Sequence, residues 1–220
     1  MDEVLQQLKD GVRRFQTEIY PQQAEIFAHA ASEPQRPHTL FITCADSRVD
    51  PNAITSSGTG EVFVTRNIGN MVPAYGEMLG GVSAVIEFAV TSLNVRHIVI
   101  CGHTHCGAMH ALLAPTSVAN MPTVSSWLKN AHAALTVAET LHQRSARTPT
   151  QRSLIDILTE QNVLLQMQHL KTHPSVAGAM ATGVLTLSGW IYSIGTGEVS
   201  IAEDGQRTFT PIAPELPTPA

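Results

Sequence analysis

Three apolar runs of strand length, set apart by helix-like segments, constrain this chain more than any other feature. His38-Thr-Leu-Phe-Ile-Thr43 stops at a polar cluster that begins with Cys44; Glu61-Val-Phe-Val-Thr65 follows; His97-Ile-Val-Ile-Cys101 stops at a second cluster of Gly, His and Cys. Between the last two runs, Gly80-Gly81 opens a segment to about Leu93. Its apolar positions, Leu79, Val82, Val85, Ile86, Phe88, Ala89 and Val90, cover more than one face, so a helix here is expected to be sandwiched, with a second subunit as one candidate neighbour. The order strand, helix, strand, helix, strand predicts an α/β fold, with a mostly parallel central β-sheet flanked by helices. In such sheets ligand sites gather beyond the carboxyl ends of the strands, where both polar clusters stand.

The flanking segments read by the same rules. Leu8, Val12, Phe15 and Ile19 recur at steps of three and four, predicting an amphipathic helix over 3–20 that Pro21 ends; a second short helix runs through Ala31. Residues 1–33 thus form an N-terminal helical arm. Asp50-Pro51 reads as an N-cap with proline in the first helical position. Pro122 to about Arg144 and Ser153 to Thr172 read as long helices, divided by a turn-rich, basic stretch from Gln143 to Arg152. Val184 to Ile194 and Glu198 to Ala202 alternate around Gly195-Thr-Gly197, predicting a C-terminal β-hairpin. The proline-rich tail, 211–220, reads as an extended arm. At 220 residues, one domain spanning 1–220 is the simplest organisation.

Composition narrows the possible partners. Charged residues make up only 14% of the chain, so part of its surface is expected to lie against another copy in a homo-oligomer. A formal net charge of −5, with no Lys/Arg run, argues against a nucleic-acid footprint. The most apolar stretch, Val82 to Val90, is interrupted by Glu87 and falls far short of the roughly 20 residues that cross a bilayer, so no membrane partner is expected. The first residues are acidic and polar and lack the features of a secretory signal. Three cysteines, two of them in Cys101-Gly-His-Thr-His-Cys106, form no disulfide framework and suit a reducing compartment, with the cytoplasm as the default.

The two polar clusters hold the chemistry. If strand conformation persists past Thr43, Cys44, Asp46 and Arg48 project together to one side. His103 and Cys106 are three apart and can reach one ion from a single turn. Adding Cys44 gives a Cys, His, Cys set, which suits Zn2+ and leaves a tetrahedral position open. Free cysteine is also among the most buried residue types. For Cys101, preceded by Ile-Val-Ile, the core reading is preferred; for Cys44 and Cys106, each among Gly, His and charged neighbours, it weakens. Spacing alone does not choose between His103 and His105.

Thr43-Cys-Ala-Asp-Ser-Arg48, then Phe63-Val-Thr-Arg-Asn67, then Cys101-Gly-His-Thr-His-Cys-Gly107, in that order and at those separations, resemble the β-carbonic anhydrase family over about Phe15 to Phe209. The resemblance implies the β-carbonic anhydrase fold, zinc held by Cys44, His103 and Cys106, and an Asp46 and Arg48 dyad beside it. It further implies reversible hydration of CO2 to bicarbonate through a metal-bound hydroxide, in an oligomer built from dimers. Within the family the chain is similar to the plant-like branch, including the carbonic anhydrases of cyanate-utilisation operons. Gln35, nine positions before Cys44, matches that branch's substrate-orienting glutamine. Gly80-Gly81 matches its glycine pair, Phe63 and Ile68 match its apolar pocket, and the Gly107 N–H is a candidate donor to the product. Phe41 stands where the bicarbonate-regulated branch has tryptophan, so no such inhibitory site is expected. Phe88 replaces a tyrosine whose hydroxyl, in that branch, belongs to the active site across the dimer interface. That departure is the only motive for an alternative substrate, carbonyl sulfide or carbon disulfide, at the same site; a non-catalytic zinc-stabilised module is a third reading. His105 and His110 are candidate proton relays, while Arg66-Asn67 and Asn70 are expected to organise a turn or an interface.

Overall fold

Six strands form one sheet: β1 (Thr39–Cys44), β2 (Val62–Asn67), β3 (His97–His103), β4 (Thr186–Tyr192), β5 (Val199–Glu203) and β6 (Thr210–Pro211), in the spatial order β2-β1-β3-β4-β5-β6. The structure is a computed structural model that describes residues 2–77, 80–145 and 152–213. β1 pairs in parallel with β2 and β3, and β3 in parallel with β4, while β5 and β6 add antiparallel. The expected parallel sheet and C-terminal hairpin are both present. From β1 the chain goes to one side to form β2 and returns on the other to form β3, so the crevice beyond the carboxyl ends of β1 and β3 is a topological switch point. Cys44 ends β1 and His103 ends β3.

Alternation along the strands gives the sheet two apolar faces. Leu40 and Ile42, Ile98 and Ile100, and Leu187 are buried in one cluster with Val163, Met167 and Leu170. Each such side chain removed from water contributes about 1.5–3 kcal/mol. Phe41, Val99 and Cys101 belong to the other face, with Trp190 and Tyr192 packed against them.

The helical arm comprises α1 (Glu3–Arg14), capped by the Asp2 carboxylate, and α2 (Ala24–Ser32). Pro21 does not end the helical path as its sequence position predicts. A π turn over Phe15–Ile19 passes into a 3-10 turn over Tyr20–Gln23 that carries Pro21 in its first positions. Proline is tolerated in a first turn because its missing N–H has no helical partner there. Leu8, Val12, Phe15 and Ile19 all remain exposed.

α3 (Pro51–Thr55) is capped as expected, the Asp50 carboxylate accepting from the N–H groups of Asn52 and Ala53 at 3.1 and 3.4 Å. α4 (Gly81–Thr91) buries Ile86 and Ala89 and leaves Phe88 47% exposed; Leu79, read as part of its apolar set, lies outside the described residues. α5 (Gly107–Leu113) follows β3 directly. The long helix predicted from Pro122 is instead α6 (Pro122–Trp127) and α7 (His132–Ser145), joined by a tighter 3-10 turn over Leu128–Ala131. α8 (Leu154–Lys171) begins at a Ser153 cap and is followed by α9 (Pro174–Ala181). Of the basic stretch ahead of α8, 146–151 lie outside the described residues, as do 214–220 of the tail. Pro211, read as the start of a free arm, pairs with Ser200 in the sheet. Among the described residues, no helix is long and apolar enough to cross a membrane.

Candidate metal centre

The alternation expected to align Cys44, Asp46 and Arg48 stops with β1. Ala45 donates its N–H to Asn67 O at 2.8 Å, and the chain then turns, Asp46 O accepting from the Val49 N–H at 3.1 Å and Asp46 Oδ1 from the Arg48 N–H at 3.0 Å. A turn, rather than the pleat of a strand, therefore aims Asp46. Arg66 braces that turn: its Nε donates to Cys44 O at 3.1 Å and its Nη2 to Asp46 O. The planar fork of a guanidinium suits two neighbouring carbonyls.

His103 Nδ1 lies 2.8 Å from Thr104 O. A carbonyl only accepts, so Nδ1 bears the proton and Nε2 presents its lone pair. Nε2 is buried and, among the described residues, has no hydrogen-bond partner. Such an orphan costs about 1–3 kcal/mol in a protein interior. His105 departs from the site: its φ of 57° turns the chain, its ring is exposed, and its carbonyl accepts from Arg48 Nη2 at 3.2 Å.

The orphaned nitrogen faces sulfur. Cys44 Sγ and Cys106 Sγ stand 3.9 Å apart, and these two atoms and a His103 ring nitrogen lie within 4.8 Å of one another, all on buried residues. The neighbouring Cys106 thiol is the chief reason the Cys44 thiol is drawn well below its ordinary range, and burial opposes this. Cys106 is pushed up in return. Cys101, on the far apolar face, is pushed up to about 12 by burial. Asp46 is gripped by both oxygens, Arg48 Nε to Oδ1 at 2.9 Å and Arg48 Nη2 to Oδ2 at 2.7 Å, which holds its carboxyl well below the usual carboxylate range. Its Oδ2 is 3.9 Å from His103 Nε2. Two sulfurs and one imidazole lone pair converging in a buried pocket form a group that could hold a metal ion.

The remaining residues divide between the two ends of the sheet. Ile68 opens the turn after β2, and Gly107 opens α5 directly after Cys106, so both lie at the carboxyl ends with the sulfurs. Gln35, Phe63 and Phe88 lie at the opposite ends. Phe63 pairs with Leu40, four residues before Cys44 and so about 13 Å away along the strand. The Phe88 ring is 6.1 Å from that of Phe63. Gln35 lines a hollow with Leu93 and Arg96, before β1 and β3 begin. Within one chain, these three do not line the Cys44 pocket. His110 is exposed on α5.

Arg66, expected to organise a turn or an interface, does brace the turn after β1, whereas sequence reasoning did not reach two α8 amides, Asn162 and Gln166, that hold the Gly69 loop. The one available signal was a pair of amides one turn apart among the apolar residues Leu158, Val163, Met167 and Leu170.

Comparisons agree with the geometry. A family profile described as carbonic anhydrase matches residues 39–199. The carbonic anhydrase of Synechococcus elongatus is 44% identical over 196 residues, covering 89% of this chain and 70% of that one. The carbonic anhydrase of Pseudomonas aeruginosa is 41% identical over 204 residues, covering 93% and 90%. Among solved structures, the β-carbonic anhydrase CcaA matches with a TM-score of 0.86 at 35% identity, covering 96% of this chain and 93% of that one. A structure described among two tetrameric β-carbonic anhydrases of Sordaria macrospora matches with 0.75 at 29% identity, covering 93% and 98%.

Proposed function

The chain belongs to the carbonic anhydrase family, in its β class, and from that premise we propose how its own residues carry the reversible hydration of CO2 to bicarbonate and a proton. The observation that supports the reading most is the buried, unpartnered Nε2 of His103 beside two sulfurs 3.9 Å apart. Two thiolates about 2.3 Å from one tetrahedral ion would stand about 3.8 Å from each other, so the spacing fits zinc. Cys44, His103 and Cys106 would hold it, and three protein donors rather than four suit a catalytic site. Zinc bound there supplies the Lewis acidity that brings the ionisation of a water from about 15.7 towards neutrality.

The rest falls to the chain. Asp46 accepts the hydrogen of the attacking oxygen and so turns its lone pair towards CO2. Arg48, bonded to both carboxylate oxygens, keeps Asp46 ionised and away from the metal position. Ile68 gives the pocket an apolar wall, and the Gly107 N–H donates to an oxygen of the anionic product. Gln35, Phe63 and Phe88 stand at the wrong end of their own sheet, so we assign them to the pocket of a second copy. The half-exposed Phe88 and the uncovered apolar side of the arm support a homo-oligomer built from such pairs. Three free thiols suit a reducing compartment, the cytoplasm.

Stopped-flow CO2 hydration on zinc-quantified protein, from pH 7 to 9, tests this. One zinc per chain and a rate that climbs with pH are expected, with Asp46→Asn keeping its zinc but losing about 10–100-fold in rate. A fully loaded oligomer without activity across that range would refute the assignment.

A further inference from the structure

The turn that carries Ile68 is short, costly in conformation and gripped by its carbonyls. Cys44 pairs with Asn67 across β1 and β2, so Ile68 is the first residue past the neighbour of a sulfur-bearing position. The next two residues, Gly69 and Asn70, have positive φ, 75° and 50°. A Cβ on Gly69 would stand 2.9 Å from Ala108 Cβ, so the turn also lies hard against α5. Strained backbone of this kind persists only where its surroundings over-determine it.

Those surroundings form a closed circuit of hydrogen bonds. Trp127, the last residue of α6, donates its indole Nε1–H to Ile68 O at 2.8 Å. Trp127 O accepts from Asn130 Nδ2 at 2.8 Å, and Asn130 O accepts from Gln166 Nε2 at 3.2 Å. Gln166 Nε2 also donates to Asn162 Oδ1 at 2.9 Å, and Asn162 Nδ2 donates to Gly69 O at 3.0 Å, which returns the circuit to the turn. Two consecutive carbonyls are thus held, one by the indole and one by α8. Asn130 belongs to the 3-10 turn that interrupts the helix predicted from Pro122, so that break is part of the mount for Trp127. The Trp127 ring is half-buried against the cluster that contains Cys44 and Cys106. A phenylalanine could supply the same apolar packing; what the indole adds is its donor, and that donor goes to the main chain of Ile68.

We propose that Trp127 is a positioning residue whose N–H fixes Ile68 and so sets the apolar wall against which CO2 is held for attack. This deepens the CO2 reading above and rests on it. CO2 carries no charge by which a side chain could anchor it, so its placement depends on the walls of the pocket. A wall free to shift gives the substrate more orientations and fewer productive ones, and misplacement on the ångström scale is enough to slow a reaction. Trp127 acts through Ile68 rather than as a pocket residue in its own right.

Zinc-quantified enzyme tests this, read by stopped-flow CO2 hydration and by hydrogen exchange of the 67–72 segment. In Trp127→Phe, which keeps a ring and removes the donor, kcat/KM for CO2 falls about three- to tenfold, the span covered by loss of one hydrogen bond. Zinc content is retained. Exchange in the 67–72 segment speeds up. Ile68→Ala loses more by itself, and adding Trp127→Phe to it costs nothing further, because no wall is left to hold. Should Trp127→Phe fail to fold, Asn130→Ala, which frees Trp127 O, gives a smaller loss with the same dependence on Ile68. An unmoved kcat/KM overturns the proposal, as does a loss that adds in full to that of Ile68→Ala, which would mean that the indole acts elsewhere. The two readings fail separately: a zinc-loaded wild type without CO2 hydration refutes the function, whereas an active wild type whose 67–72 exchange is unchanged by Trp127→Phe refutes the clamp alone.

Discussion

β3 begins and ends in a histidine, and the two rings meet opposite surroundings. His97 Nδ1 lies 2.7 Å from Thr186 Oγ1, and its Nε2 lies 2.7 Å from Ser188 Oγ. The Thr186 hydroxyl donates onward to Arg96 O, and Ser188 Oγ accepts from Trp190 Nε1 at 2.8 Å, so donors and acceptors alternate along an ordered chain. His97 has both nitrogens satisfied. His103, at the other end of the strand, has one nitrogen satisfied by Thr104 O and the other buried without a partner, beside two sulfurs. Buried polar groups are almost always paired, so an unpaired ring nitrogen that also faces two sulfurs points to a place where something else binds. The cysteines repeat the contrast: Cys101 is pushed up by burial on one face, while Cys44 and Cys106 set their sulfurs 3.9 Å apart at the crevice.

Exchanging the two histidines for alanine breaks or sharpens this comparison. His103→Ala should have the largest effect, leaving the chain largely without metal and lowering CO2 hydration by more than the about 100-fold typical of changes to a ligand's supporting partners. Metal analysis beside stopped-flow rates checks it. His97→Ala should keep its metal and its rate but lose about 1–3 kcal/mol of stability, because the Ser188 and Thr186 hydroxyls lose their partner. Denaturant titration at fixed metal reads that loss, and a metal-free His97→Ala would show that the two rings are not opposites after all.

The smallest effect concerns pH. Burial pushes His97 below its ordinary value, with the Glu203 charge opposing, and burial also pushes His173 down. A depressed histidine is held neutral in the fold, so its contribution is complete above the unfolded value of about 6.5 and is lost as pH falls through the lower folded value. The thermal midpoint should therefore be lower at pH 5.5 than at pH 7.5. Because the His97 ring is partly open to solvent, its share of the loss should be about 1 kcal/mol or less. His97→Ala should flatten the dependence, and an equally steep curve in that variant would assign it to other groups.

What could be read from the sequence was whatever rests on local physics. Short continuous apolar runs gave β1, β2 and β3, and Asp50-Pro51 gave the start of α3. Pro21 and the helix from Pro122 were misread because a π turn, or a tighter 3-10 turn, absorbs what local rules treat as a stop or a continuous run. The Cys44, Asp46 and Arg48 motif was visible, but for the wrong reason: a turn braced by Arg66 gathers those side chains. Resemblance placed Gln35, Phe63 and Phe88 in the substrate pocket, Phe88 from across a dimer interface; within one chain the parallel register sets Phe63 about 13 Å along the strand from Cys44. Asn162 and Gln166 were not singled out from the sequence, because the Gly69 carbonyl that Asn162 holds lies 93 residues earlier and the Val72 N–H that Gln166 holds is equally remote.

X-ray absorption at the zinc edge of the purified enzyme addresses the central claim most directly. The account predicts one zinc per chain with two sulfurs at about 2.3 Å, and one imidazole nitrogen and one further light atom at about 2.0 Å. A shell of nitrogen and oxygen alone, or one with three or more sulfurs, would contradict it.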